Sequence, residues 1–483
     1  MSDNYELGTP LASAGGEEDK DADSSIELVL SSDLSALTQG VEGLSLHHTQ
    51  TRLPAAPGTT LLVCPPACLD HVTPDVHPES AQRIEVLCGV DGILARRSFK
   101  NIVRLDAREI EPAALSHVLR VHDWDYVKHL RDRCARGADR LDVDTHLCPV
   151  SLAAARVASG AVIAAVDAVV GGAARNAFVA VRPPGHHAGP RGAVARDAGW
   201  CGPRACSNGY CLLNHVAVGA AYARQRYAGG GGAGAAPPLR RVAIVDFDVH
   251  HGNGTEEIVR NLRPREYRLP LPGSWAPRAE EAYKPWLDED DADHVFFASV
   301  HLFDEDDFYP NSGPSTAQED GADDEAGRYH IHNITLEPVG PDDPAARERL
   351  ADKRREELRR RASAQFRERV RAQLLPRLDA FRPDILFLSA GFDGHQDDRF
   401  HHLHEDDYEW ITRELAKIAD GRAAGRIVSV LEGGYHTDPA KTSGRAARRK
   451  SAEQKKFGAL ARSCAAHVAV LCEASSGHQK GSA

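Results

Sequence analysis

From Thr60 onward the chain predicts an α/β architecture: an open, mostly parallel eight-stranded sheet with helices on both faces. Three observations predict it. Eight short apolar runs are almost continuously hydrophobic and rich in β-branched residues, the composition of strands covered on both sides. Helical or loop segments separate them, and that alternation builds parallel units rather than hairpins. The residues able to do chemistry gather just beyond the ends of these runs, where open parallel sheets carry their sites.

The strand candidates, in order, are Thr60–Val63, Asn101–Leu105, Ala177–Val181, Arg241–Phe247, His294–His301, Tyr329–Leu336, Asp384–Ser389 and Arg426–Leu431. Helical stretches over Leu152–Val170, Asn214–Arg226 and Asp407–Ala419 lie between several of them. Residues 1–57 are rich in Ser, Asp, Glu, Gly and Thr and read as a disordered or regulatory segment. Leu30, Leu34, Leu37, Val41 and Leu44 keep helical spacing there, but Gly40 and Gly43 interrupt the stripe, so a fraying segment is favoured over a docking or export element. One catalytic domain is expected over 58–473. It carries insertions near 229–238, a Gly/Ala/Pro linker, near 305–327, an acidic loop, and near 345–371, a charged solvated helix. Residues 474–483 read as a flexible tail.

Composition narrows the function. The 42% hydrophobic content supports a sizeable core, and the formal charge of -12 leaves no basic field for nucleic acid. No apolar stretch approaches the length of a membrane span, and the start Met1-Ser2-Asp3-Asn4 shows no secretory signal. Ten scattered cysteines suit a reducing compartment. Neither Cys201, Cys206 and Cys211 nor Cys64, Cys68, His71 and His77 has the paired short spacing of a structural zinc site, so plain thiols are expected. Nucleus and/or cytoplasm is the expected location. The basic run Arg445-Ala446-Ala447-Arg448-Arg449-Lys450 reads equally as an import signal or a loop.

Four strand ends carry the chemistry. One gives Arg182-Pro183-Pro184-Gly185-His186-His187, and a second gives Asp246-Phe247-Asp248-Val249-His250-His251-Gly252-Asn253-Gly254. Side chains alternate along a strand, so Asp246, Asp248 and His250 share one side. Two carboxylates and an imidazole there make a poor core and a good metal site. A third end gives Ser389-Ala390-Gly391-Phe392-Asp393-Gly394-His395-Gln396-Asp397-Asp398, and the last gives Leu431-Glu432-Gly433-Gly434-Tyr435. Any one alone is weak; four together indicate a metal hydrolase.

With His77-Pro78-Glu79, Asn208-Gly209-Tyr210-Cys211-Leu212-Leu213-Asn214 and Phe308-Tyr309-Pro310, these motifs resemble the zinc-dependent histone deacetylase and acetylpolyamine amidohydrolase superfamily, closest to its class II branch. The resemblance runs from about Cys64 to Cys472 and implies the three-layer arginase/deacetylase fold. By matching position it implies one catalytic zinc held by Asp248, His250 and Asp398, the last five residues after Asp393. Two carboxylates and one imidazole are also hard enough for Fe(II). His187 is implied as general base and acid, His186 as its electrostatic partner held by Asp246, and Asn253 as the residue pairing with His187. Tyr435 is implied as the oxyanion donor, Gly209 as the carbonyl that accepts the substrate amide proton, and Tyr210 and Tyr309 as the walls of an acyl-lysine channel made more polar by their hydroxyls. Asp144 matches a rim aspartate, with a surface-loop acid as the competing reading. A structural potassium ion is implied near Asp246, Asp248, His250, Ser299 and Val300.

The expected activity is hydrolysis of N6-acetyl-lysine in histones or other proteins; basic histone tails would be drawn to an acidic rim. Corepressor-type protein partners are implied. Acetylpolyamines or other small acyl-amines are the alternative substrates. A two-manganese ureohydrolase wants a carboxylate two residues beyond His250, where Gly252 stands, and an acyl-lysine scaffold would not need intact ligands, tandem histidines and Tyr435.

Overall fold

The computed structural model describes residues 58–96, 99, 101–194, 207–230, 238–269, 278–304, 308–315, 330–341, 349–398, 400–438 and 456–476, all within the unit Leu53–Ala483. The N-terminal leucine stripe, Cys201, Cys206, the basic run at 445–450 and most of the first two insertions lie outside the described residues.

All eight expected strands form one sheet. They are β1 (Thr60–Val63), β2 (Ile102–Arg104), β3 (Asn176–Val179), β4 (Val242–Asp246), β7 (Val295–Leu302), β8 (His330–Leu336), β9 (Ile385–Ala390) and β10 (Ile427–Leu431). Every pairing is parallel, in the order β2-β1-β3-β10-β9-β4-β7-β8. A separate antiparallel pair, β5 (Arg265–Leu269) and β6 (Arg278–Ala282), was not expected, because charged residues mask its alternation.

Alternation within the strands builds three layers. Leu61, Val63, Val179, Ile244 and Phe387 face one core, against helices α1 (Trp124–Ala135), α2 (Ser151–Val170) and α3 (His215–Tyr227). Leu62, Phe178, Val245, Leu386 and Leu388 face the other, against α5 (Asp352–Arg369), α6 (Leu375–Phe381), α7 (Glu405–Arg422) and α8 (Ala459–Ser476). The short α4 (Asn253–Arg260) follows β4. Contrary to the sequence reading, α2 is long and apolar enough to cross a membrane, but most of it is buried, as a core helix must be. The charged insertion does become a helix: α5 buries Leu358, Ala362 and Phe366 and leaves its Arg/Glu faces outward.

The sheet order positions the site. β3, β10, β9 and β4 are consecutive neighbours and run the same way. Parallel strands lie roughly 4.8 Å apart, so their C-terminal loops converge within roughly 15 Å. These are the four strand ends singled out by the sequence.

Candidate metal and catalytic site

β4 stops at Asp246, which leaves Asp248 and His250 in the loop beyond it, both buried. The structure corrects the third member of the group. Asp393, not Asp398, brings a carboxylate oxygen to Asp248 and His250, with all three candidate ligand atoms within 4.8 Å of one another. His250 Nδ1 lies 3.1 Å from Asp248 Oδ1 and 3.0 Å from Asp393 Oδ2. Asp398 instead accepts the backbone N–H groups of Tyr435 at 2.7 Å and His436 at 2.9 Å. The reason is geometric. Asp393 is three residues past the end of β9, level with the metal group, whereas the chain has turned away by Asp398.

These residues fit a cation. Despite its short distance from His250, Asp393 Oδ2 is buried with no hydrogen bond among the described residues. The two groups sit side by side, as co-ligands do, rather than as donor and acceptor. Burial and then the charge of Asp248 raise Asp393 to about 6, and burial opposes charge on His250, but Asp393 and Asp248 raise it to about 9. The centre therefore calls for positive charge, which a divalent ion held by Asp248, His250 and Asp393 would supply. Gly433 is required beside it. Its N–H donates to Asp248 Oδ2 at 2.8 Å, and a Cβ there would stand 2.4 Å from Asp393 Oδ2. Phe308 stacks on His250 at 5.2 Å and Phe400 meets its ring edge-on at 4.5 Å, giving the centre an apolar wall.

The tandem histidines follow β3 and take opposite charge states. His186 Nδ1 lies 2.9 Å from Asp246 Oδ2; burial opposes its charge, yet Asp246 and Asp248 raise it to about 10. His187 Nδ1 lies 2.7 Å from Asn253 Oδ1, at the start of α4. An amide oxygen only accepts, so Nδ1 carries the proton and Nε2 keeps a free lone pair. Burial, then the positive charges of His186 and His250, hold His187 well below its ordinary 6.5. It is a neutral base beside a charged neighbour, with ring centroids 4.0 Å apart.

Tyr435 lies beyond β10, its ring crossing that of Tyr210 at 88° and 5.6 Å. Burial lifts its hydroxyl well above 10 although Arg83 pulls the other way, so it remains a donor. Tyr309 lies edge-on to His187 at 4.9 Å. Its hydroxyl donates to the Ser207 carbonyl at 2.9 Å, so it is tied into the wall rather than left to make the channel more polar. Gly209 presses on the base; a Cβ there would stand 2.5 Å from His187 Cδ2. Asp144 is half-buried, its Oδ1 accepting from Ser207 and, at 3.3 Å, from Thr145. Strand register sets Ser299 beside Asp246, with Val300 next along β7.

Sequence reasoning gave no role to three residues that hold this site: Glu79 and Glu432 stand within its motifs, and Arg83 lies outside them. Arg83 is fully buried; its Nε donates to the Gly434 carbonyl at 2.7 Å, Nη2 donates to the Glu432 carbonyl, and its guanidinium lies 5.0 Å from the Tyr435 ring. Glu79 pairs with Arg83 and accepts bidentately from Arg182 Nε and Nη2, each at 2.8 Å. The spacing of Glu79 and Arg83, four apart across the start of the helix Gln82–Cys88, was the available signal. Glu432 accepts the Gly185 N–H at 2.7 Å and so joins the loops after β10 and β3. A further His/Glu group, His395, His404 and Glu405, is an ion-pair network. His395 Nδ1 accepts the Asp397 N–H, which puts its proton on Nε2, and Arg462 holds Glu405.

Comparison with known proteins agrees with this geometry. Residues 77–449 match the histone deacetylase domain. The "Type-2 histone deacetylase 2" of Dictyostelium discoideum is 33% identical over 409 residues, 78% of this chain and 20% of that protein. The "Histone deacetylase-like amidohydrolase" of Pseudomonas aeruginosa is 30% identical over 375 residues, 77% of this chain and 74% of that protein. The human "Polyamine deacetylase HDAC10" is 27% identical over 374 residues, 76% and 43% of the two chains. This chain thus spans only a fifth of the first relative's length. Among solved structures the HDA15 HD domain superposes with a TM-score of 0.57 at 23% identity, covering 86% of this chain and 90% of that one, a likeness of fold.

Proposed function

The chain belongs to the histone deacetylase family, and from that premise we propose that it is a zinc-dependent amidohydrolase of class II type acting on N6-acetyl-lysine in proteins and releasing acetate. One observation carries the reading: a neutral His187 with its lone pair free, next to a charged His186 and the Asp248, His250 and Asp393 group.

Each residue has a defined task in amide hydrolysis. A divalent ion, when bound, supplies Lewis acidity for the substrate carbonyl and the attacking water. His187 takes the water's proton at Nε2, because Nδ1–H is committed to Asn253, and then delivers it to the leaving amine. His186 stays charged against Asp246 and stabilises negative charge developing nearby without moving its own proton. The protonated Tyr435 hydroxyl donates to the oxyanion. Tyr210, Tyr309 and the Gly209 carbonyl would align the acyl-lysine stem, and Asp144 would hold the substrate backbone at the rim. A potassium ion near Asp246, Asp248, His250, Ser299 and Val300, corepressor-type partners and a nuclear or cytoplasmic location belong to the same proposal.

The test is purified protein assayed on acetyl-lysine peptides and acetylated polyamines, with and without chelator. We expect peptide turnover that the chelator abolishes and added zinc restores. Preference for the polyamine would replace the substrate, and chelator-resistant turnover would refute the mechanism.

A further inference from the structure

Two loops meet at the mouth of the site. One, around 139–147, carries Asp144; the other, 207–211, carries Gly209 and Tyr210. Gly209 and Tyr210 are consecutive left-handed residues, with φ of 52° and 70°. Tyrosine does not favour that backbone region, so an outside constraint must hold the turn.

The constraint comes from the facing loop. Asp142 Oδ2 accepts the Asn208 N–H at 2.8 Å. Its Oδ1 accepts the N–H groups of Asp144 at 3.1 Å and Thr145 at 2.9 Å. Thr145 Oγ1 then accepts the Tyr210 N–H at 3.2 Å, and Ser207 Oγ accepts the Gly209 N–H at 2.9 Å. Three successive backbone donors of the strained turn are therefore satisfied by side chains, and Asp142 organises the set. It touches neither His187 nor the metal group.

We propose that Asp142 is the positioning residue of the substrate tunnel, its carboxylate setting where the Gly209 carbonyl and Tyr210 ring meet the acyl-amine stem. The proposal rests on the amidohydrolase reading above. Both oxygens are needed. Asparagine keeps one acceptor, which would serve Asp144 and Thr145, and would turn an NH2 towards the Asn208 N–H. Asp142→Asn therefore removes the bond between the loops while keeping the turn within the first.

The experiment uses the metal-loaded full chain, with Asp142→Asn and, from the other end of the network, Thr145→Val, which deletes the acceptor for Tyr210 N–H. Steady-state kinetics on an acetyl-lysine peptide are paired with amide hydrogen exchange over 207–211. We expect KM to rise about tenfold, the loss of one charge-assisted hydrogen bond, with kcat little changed and exchange at Asn208 and Tyr210 accelerated. Unchanged KM and exchange in folded variants overturn the proposal, as does a fall in kcat at constant KM. Should Asp142→Asn not fold, Thr145→Val decides by the same readouts. If the wild type hydrolyses no acyl-amine, the functional reading alone fails, and exchange at 207–211 still decides whether Asp142 positions the turn.

Discussion

Asp393 and Asp398 offer a direct test of which carboxylate holds the metal. Among the described residues Asp393 Oδ2 is buried without a hydrogen bond and adjoins His250 Nδ1, whereas Asp398 Oδ2 is engaged by two backbone N–H groups. Asp393→Asn keeps shape but deletes one of two negative charges facing the ion. Removing one member of a buried ionic group costs roughly 3–5 kcal/mol. At about 1.4 kcal/mol per factor of ten, metal affinity should fall by roughly 10²–10⁴. Asp398→Asn retains an oxygen able to accept both N–H groups, so its metal affinity should move by less than about tenfold. Its deficit should appear in kcat, because Tyr435 is one of the two residues it holds. The assay is competition against a chromophoric chelator at neutral pH, with near-ultraviolet circular dichroism to establish folding. A folded Asp398→Asn protein that loses zinc, beside an Asp393→Asn protein that keeps it, would refute the assignment.

Two further outcomes are expected. Tyr435→Phe keeps the ring against Tyr210 and Arg83 but deletes the hydroxyl proposed to donate to the oxyanion, so kcat should fall about 10²–10³ with metal content unchanged; near-wild-type kcat would remove Tyr435 from the mechanism. For Glu79, burial resists the charge but Arg182 leads the interactions that hold it at about 2, against an ordinary 4.5. A depressed folded value means its stabilisation is complete above the unfolded value and is lost as pH falls through the folded one; the difference is worth about 3 kcal/mol. Unfolding midpoints of the wild type should thus decline from about pH 5 to pH 2 more steeply than those of Glu79→Gln, and parallel curves would show that Glu79 is not responsible.

Much of this was legible because strand and site share one cause. A strand buried on both faces must be apolar almost throughout, so the first charged residues at its C-terminal end, such as Asp246 and Arg182, mark both where the strand ends and where chemistry can begin. The grouping of Asp248 with His250 is equally local, although both lie in the loop beyond β4 and not, as the sequence suggested, on alternating positions of the strand. Choosing between Asp393 and Asp398 is not. Both follow the same strand, both are acidic, and only the path of the loop decides which one meets His250. The hairpin β5–β6 was hidden for the opposite reason, since Arg265, Glu266, Glu280 and Glu281 carry no apolar alternation. The polarity expected of Tyr309 depended on where its hydroxyl points, and the Ser207 carbonyl that captures it is 102 residues away in sequence.

The Glu79, Arg83 and Arg182 group shows why distant charges belong to this site. Burying a carboxylate and two guanidiniums is costly, and buried ion pairs seldom stabilise a fold more than apolar residues of the same size would. Here the excess donors have work that apolar residues could not do. In the loop Glu432–Tyr435 beyond β10, Arg83 donates to the carbonyls of Glu432 and Gly434. Arg182, one residue before the Pro183-Pro184-Gly185 turn, likewise binds the carbonyls of Cys68 and His71. Glu79 pairs with both arginines and couples the segment bearing the tandem histidines to the segment bearing Tyr435. The loops carrying Tyr435 and the tandem histidines are thus fixed to one buried carboxylate. A change at Glu79 should therefore disturb both halves of the site together, although it contacts neither His187 nor the metal group.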